Sequence, residues 1–161
     1  MKRIISVLVE NKFGVLARVS ELFSSRGFNI ASLSVGETLD SNLSRITMVV
    51  DGDESIFEEI KKQLNKLINV IKVRDFTNVD HVEREMLLIK VNLSRKTRAE
   101  LIEITDIFRA KIVDVGRNTM TVEITGKDKK IEAFIELVKP FGIVEIVRTG
   151  KIAIARKKGG E

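Results

Sequence analysis

The sequence predicts an α+β protein made of two ferredoxin-like βαββαβ halves in tandem. Three observations carry this. Short stretches with apolar residues at every second position take turns with stretches whose apolar residues recur every three or four positions, so strand and helix periods alternate. The order strand, helix, strand, strand, helix, strand occurs twice. Landmarks of the two copies also keep one spacing: Gly52 and Gly126, each ending a third strand, lie 74 residues apart, and Val70-Ile71-Lys72-Val73 and Val144-Glu145-Ile146-Val147 share that offset.

Each element has a local reason. Residues 3–9 (Arg3-Ile4-Ile5-Ser6-Val7-Leu8-Val9) alternate and read as a strand, and Asn11-Lys12-Phe13-Gly14 as a turn. Val15, Val19, Leu22 and Phe23 then form one helical face, which Arg26-Gly27 closes in the manner of a glycine cap. Phe28 to Glu37 is a strand, Asp40-Ser41-Asn42 a hairpin turn, and Arg45 to Val50 the third strand. Asp51-Gly52-Asp53 precedes a helix with Ile56, Ile60, Leu64 and Leu67 on its apolar face, and Val70 to Val73 closes the half. In the second half the strands are Arg84 to Asn92, Ile112 to Val115, Met120 to Ile124 and Ile143 to Val147. Its helices span 97–109 and Lys127 to Val138, the latter with Ile131, Phe134, Ile135 and Val138 on one face. The expected domains are 1–76 and 85–161, joined by a short polar linker at 77–84, with a frayed basic tail at 156–161. An open sheet with both helices on one side leaves its other face and its edges to be covered, so a homodimer is expected.

Composition narrows the function. Lys and Arg number 28 against 23 Asp and Glu, and the excess of five is uneven. Residues 1–76 hold 11 positive and 10 negative charges, residues 77–150 hold 13 and 12, and residues 151–161 hold 4 and 1. The body is nearly neutral, so the excess is weak evidence for the basic face that nucleic acid requires, and no nucleic-acid partner is expected. Its aromatics are phenylalanines, and Phe23, Phe57, Phe108 and Phe134 fall on helices, where they serve the core rather than an RNA-stacking sheet. No apolar run reaches the roughly 20 residues of a membrane span, and the N-terminus enters an alternating pattern at once, so a cytoplasmic protein is expected. There is no Cys, Trp or Tyr and a single His, His81, in the linker. No phosphate loop or nucleophile motif occurs. The residues point to no catalytic centre and no metal site.

Two segments stand out for binding. Asn11-Lys12-Phe13-Gly14-Val15-Leu16 joins the first strand to the first helix. A helix start offers unpaired N–H groups and partial positive charge, and Gly14 lets a ligand approach the backbone, which makes a seat for a carboxylate. The plainer reading is an ordinary turn with glycine chosen for its backbone angles. Asn29, in Arg26-Gly27-Phe28-Asn29-Ile30, opens the second strand, where polar residues are disfavoured. It either starts the strand after the glycine cap or faces the first-helix turn of a paired chain. Arg45 reads as a solvated charge and His81 as a structural residue.

Asn11-Lys12-Phe13-Gly14-Val15-Leu16-Ala17-Arg18-Val19 resembles the opening of an ACT domain, the amino-acid-sensing βαββαβ module. Arg26 to Leu33, Leu43-Ser44-Arg45, His81 to Glu85, Ile107 to Val115 and Arg148-Thr149-Gly150 extend the match. Over essentially its whole length the chain resembles the small regulatory subunit of acetohydroxyacid synthase (acetolactate synthase). The resemblance implies a chain without chemistry of its own. It implies a partner large subunit that holds thiamine diphosphate, magnesium and FAD and condenses 2-ketoacids in branched-chain amino acid synthesis. It implies that this chain raises the partner's activity and confers feedback inhibition, usually by valine. The ligand is then expected between two ACT domains, at Asn11, Phe13, Gly14, Val15 and Leu16 of one chain and Asn29 and Ile30 of the other. The alternatives are a free-standing ACT-type amino-acid-binding protein and a small enzyme, such as a phosphatase, on the same fold.

Overall fold

The structure is a computed structural model and describes residues 1–157, so positions 158–161 of the expected tail lie outside the described residues. Contacts divide the chain into two units: Met1–Val82 together with the described residues from Gly150 onward, and Glu83–Thr149. Both are βαββαβ folds, as expected.

In the first unit β1 (Lys2–Glu10), α1 (Val15–Ser25), β2 (Asn29–Glu37), β3 (Leu43–Asp51), α2 (Glu54–Asn65) and β4 (Val70–Asp75) follow in order. The antiparallel sheet has the order β2-β3-β1-β4, which makes β2 an edge. Ile5, Val7 and Val9 of β1 and Ile46, Met48 and Val50 of β3 point to the helices and meet Val15, Val19, Leu22, Phe23, Phe57, Ile60 and Leu64. α1 stops where expected. Gly27 takes φ 69, and the Phe28 N–H reaches back to the Phe23 carbonyl at 3.0 Å.

β5 (His81–Asn92) starts in the first unit and continues into the second, where α3 (Arg98–Ile107), β6 (Lys111–Val115), β7 (Thr119–Gly126), α4 (Asp128–Val138) and β8 (Ile143–Arg148) repeat the plan, with sheet order β6-β7-β5-β8. Leu87, Ile89 and Val91 of β5 and Met120, Val122 and Ile124 of β7 pack with Leu101, Ile131, Phe134 and Val138 of the helices, as β1 and β3 pack with theirs in the first unit. The paired glycines share a role as well. A Cβ on Gly52 would meet the side chain of Ile56 at 2.8 Å, and one on Gly126 that of Lys130 at 2.6 Å, four residues on in each case. Each lets the following helix start close to the strand.

Three features differ from the sequence expectation. β5 begins at His81, inside the stretch expected as linker. The His81 ring lies 5.1 Å from that of Phe76, and its Nδ1 is 2.6 Å from the Val79 carbonyl oxygen, so the residue is held structurally. A ninth strand, β9 (Ile152–Ala155), was not anticipated. It pairs with β5, and Ala153 and Ala155 pack against Ile4, Val49 and Phe76 on the side of the first sheet away from the helices. That places the segment from Gly150 onward with the first unit. It also explains why both faces of β1 are buried from Ile4 to Val7, where alternation predicts one.

The first unit is wired for acid sensitivity. Arg3, almost wholly buried, lies over the Phe57 ring at 4.4 Å, bonds the Glu54 carboxylate and is 3.6 Å from Asp75. The Arg3 bond holds Glu54 below the usual carboxylate range. Asp53 caps α2, and the Ser55 hydroxyl at 2.7 Å and the Ile56 N–H at 3.0 Å lower it in the same sense. A carboxylate lowered in the folded state contributes stability above its unfolded pKa of about 4, and loses it as pH falls through the folded value. The thermal midpoint should therefore hold from pH 7 to 5 and drop between pH 4.5 and 3. Glu54→Gln should lower the midpoint at pH 7 and flatten that drop, which circular dichroism melts will check.

Candidate ligand site at the first-helix turn

The turn after β1 is tied to the hairpin between β2 and β3. The Asn11 N–H donates to the Asn42 carbonyl at 2.7 Å, and its side-chain amide donates to the Ser41 carbonyl at 2.9 Å and to Glu37 Oε1 at 3.2 Å. Asn11 is thus the clasp between two loops at one end of the sheet. Periodicity marked both loops, but their pairing is tertiary, so Glu37 and Ser41 were not foreseen. On the other flank Lys12 Nζ lies 3.0 Å from Glu10, which also accepts from Asn69 at 3.1 Å, while Arg18 donates to Asn69 at 3.0 Å. The Lys12 hydrogen bond is the main cause that holds Glu10 below its ordinary pKa.

Gly14 is the N-cap of α1 at φ 83 and ψ −5, a left-handed conformation that favours glycine. Around it the space is open: a Cβ there would meet nothing within 4 Å. The Val15 N–H is taken by the Lys12 carbonyl at 3.3 Å, and the Arg18 N–H closes the first turn onto the Gly14 carbonyl at 3.1 Å. The Leu16 and Ala17 amides have no carbonyl partner among the described residues. The four α-helices differ in how they treat this end. α2 has the Asp53 cap and Glu54, α3 has Glu100 in its first turn and α4 has Asp128. Among the described residues α1 alone has neither a side-chain cap nor an acid in its first turn. Its positive end is left for an anion from outside.

The expected residues divide by position. Phe13 is fully exposed and Leu16 partly so, both beside the open turn. Val15 is buried in the core, and Ile30 packs on that core from its edge. Val15 therefore supports the turn from beneath. Asn29 is exposed but far from the turn within one chain. It registers with Asp51, whereas Glu10 registers with Leu43 at the other end of β3. Eight residue steps at about 3.3 Å put the two ends roughly 26 Å apart. Only a second chain can bring the two groups together.

A shallow cleft lined by Val15, Arg18, Val19, Leu67, Ile68, Asn69 and Val70 lies on the Asn69 flank and shares only Val15 with the expected site. Arg45 donates to the Ser6 hydroxyl at 2.8 Å. Among the described residues no cluster of His, Asp and Glu is arranged to hold a metal ion, and no helix is long and apolar enough to cross a membrane.

Comparison with known proteins covers both units. Residues 5–72 match the family model described as the AHAS small subunit-like ACT domain, and residues 84–157 match the model for the small subunit of acetolactate synthase. Over 156 residues the chain is 54% identical to a probable acetolactate synthase small subunit of Archaeoglobus fulgidus, covering 97% of this chain and 98% of the relative. It is 51% identical over 158 residues to the acetolactate synthase small subunit of Bacillus subtilis, covering 97% and 91%. The crystal structure of the acetolactate synthase small subunit from Thermotoga maritima superposes with a TM-score of 0.90 at 43% identity, covering 98% of this chain and 99% of that one.

Proposed function

The chain belongs to the family of acetolactate synthase small subunits, and from that premise we propose that it activates a thiamine-diphosphate-dependent catalytic subunit and confers feedback inhibition by valine. The family membership makes it a regulatory subunit and implies a catalytic large subunit as partner. In this reading thiamine diphosphate, magnesium and FAD reside in the large subunit, and both chains work in the cytoplasm.

The uncapped start of α1 is the observation that carries the sensing role. A free amino acid needs an anion seat, an acceptor for its ammonium group and an apolar wall. The Leu16 and Ala17 amides at the positive helix end serve the first need. The second is met when two β2 edges pair antiparallel in a homodimer. That pairing runs Asn29 of one chain alongside Glu37 of the other, and Glu37 is bonded to Asn11. The Asn29 amide oxygen then accepts from the ammonium group. Leu16, Leu33 and Val35, exposed in the single chain, supply the wall. A ligand bridging two chains regulates only if it binds the inhibitory arrangement more tightly than the active one.

The free-standing amino-acid-binding alternative is less well supported, because residues 84–157, outside the sensing module, match the small-subunit model. The deciding experiment mixes the chain with its large subunit and follows acetolactate formation with and without valine. The chain alone should form none, the mixture should exceed the large subunit alone, and valine should lower that rate. A mixture no faster than the large subunit alone would overturn activation, and a rate indifferent to valine, leucine and isoleucine would overturn feedback.

A further inference from the structure

The chain leaves β8 at Arg148, and two residues later Gly150 lies against β2. A Cβ on Gly150 would stand 3.1 Å from the Leu33 carbonyl oxygen, 3.4 Å from its carbonyl carbon and 3.5 Å from its nitrogen. Gly150 has φ 82, so a side chain there is opposed by both backbone conformation and space. The β2 side of this contact is built to match. Ser32 and Ser34 flank Leu33 and register with Val49 and Thr47, on the same face as Ile4 and Ser6. Their short side chains open the strand backbone to close approach, and the Ser32 hydroxyl is buried without a hydrogen-bond partner among the described residues.

β2 is irregular just before this point. Its register with β3 shifts between Ile30 and Ser32, and such a bulge is where a strand can bend or change register. Asn29 and Ile30 lie on one side of the shift and Leu33 on the other. Past Gly150 the segment is anchored by Ala153 and Ala155 on Ile4, Val49 and Phe76. Its end is tied down where the Arg156 N–H donates to the Asp80 carbonyl at 2.8 Å and Arg156 Nε lies 3.4 Å from Asp80 Oδ1.

We propose, resting on the feedback reading above, that Gly150 is a positioning residue for feedback: it braces β2 at Leu33, so that amino acid binding at Asn29 and Ile30 displaces the strap formed by residues 150–156 and, through the continuous chain, the end of β8. The ligand has its effect because the two arrangements of the β2 bulge differ in how closely Gly150 fits. Gly150 touches no ligand in this scheme. Changing it should separate binding from inhibition.

The test uses the full chain reconstituted with its large subunit and compares wild type with Gly150→Ala. Three quantities are read: activation, valine binding by calorimetry, and the valine concentration for half-inhibition. Activation should stay within about twofold and binding within about threefold, while half-inhibition moves upward tenfold or more. Inhibition unchanged overturns the proposal, and so does inhibition weakened by the same factor as binding, which would place Gly150 in the pocket itself. Arg156→Ala, which loosens the far end of the strap, covers the case in which Gly150→Ala does not fold. It should raise half-inhibition about twofold with binding unchanged, and no rise counts against the idea. If wild type itself binds no branched-chain amino acid, the feedback reading fails and this proposal with it, an outcome visible before any variant is made.

Discussion

Gly14→Asp should abolish valine inhibition while the large subunit remains activated. Residue 14 is left-handed and opens onto space, and Asp is among the few side chains that enter this conformation at modest cost. Its carboxylate can turn to the Leu16 and Ala17 amides, the N-cap arrangement that Asp53 already uses at α2. The new carboxylate then occupies the seat expected for the ligand's own. Two such charges about 4 Å apart at an effective dielectric of about 20 repel by roughly 4 kcal/mol, and a quarter of that weakens binding about fivefold. Added to direct competition for the amides, the loss should exceed tenfold. Selectivity among ligands should be milder. Valine has two more carbons than alanine, worth roughly 1.6 kcal/mol or about 15-fold. Calorimetric titration of both proteins with valine and alanine, beside inhibition of the reconstituted enzyme, decides the matter. Valine bound as tightly by the variant as by wild type would remove the ligand from this turn.

Ending the chain after Thr149 should cost the first unit more stability than any surface change. The cut removes Ala153 and Ala155 from Ile4, Val49 and Phe76, which are all buried in the full chain. Baring on the order of 100 Å² of apolar surface at about 25 cal/mol per Å² costs roughly 2.5 kcal/mol. For a unit of this size that lowers the melting midpoint by about 10 °C or more. A chain ending at residue 155 keeps those contacts and, among the described residues, gives up Arg156 and Lys157, with the backbone hydrogen bond and the ion pair from Arg156 to Asp80. That pair is exposed on both sides and worth little. Urea unfolding of chains ending at 149, 155 and 161 therefore should give one destabilised protein and two alike. Three matching midpoints would show that the alanines contribute nothing to the cluster. A fragment of residues 1–76, which looks self-sufficient by periodicity, leaves the same face bare and should unfold more readily than the complete chain.

Periodicity and punctuation by themselves determined the two βαββαβ folds, their common plan and the end of each main element. Those signals are local: an apolar side chain every second residue on β1 or every third or fourth on α1, a glycine after α1, an Asp before α2. The turn at Asn11 to Leu16 was legible for the same reason, because a helix start and a glycine are neighbours in sequence. Tertiary structure decided the rest. That Asn11 clasps Glu37 and Ser41, and that Asn29 stands at the far end of the sheet, both depend on strand order and register, which join residues distant in sequence. The strap at β9 was missed although Ile152-Ala153-Ile154-Ala155 alternates. Its inward-facing residues are the half-buried alanines, and its isoleucines are exposed, at 57% and 70%. Large apolar residues announce a strand when they are the ones buried. Here a backbone must pass close to another sheet, so small residues face inward, and only the folded chain shows what they touch.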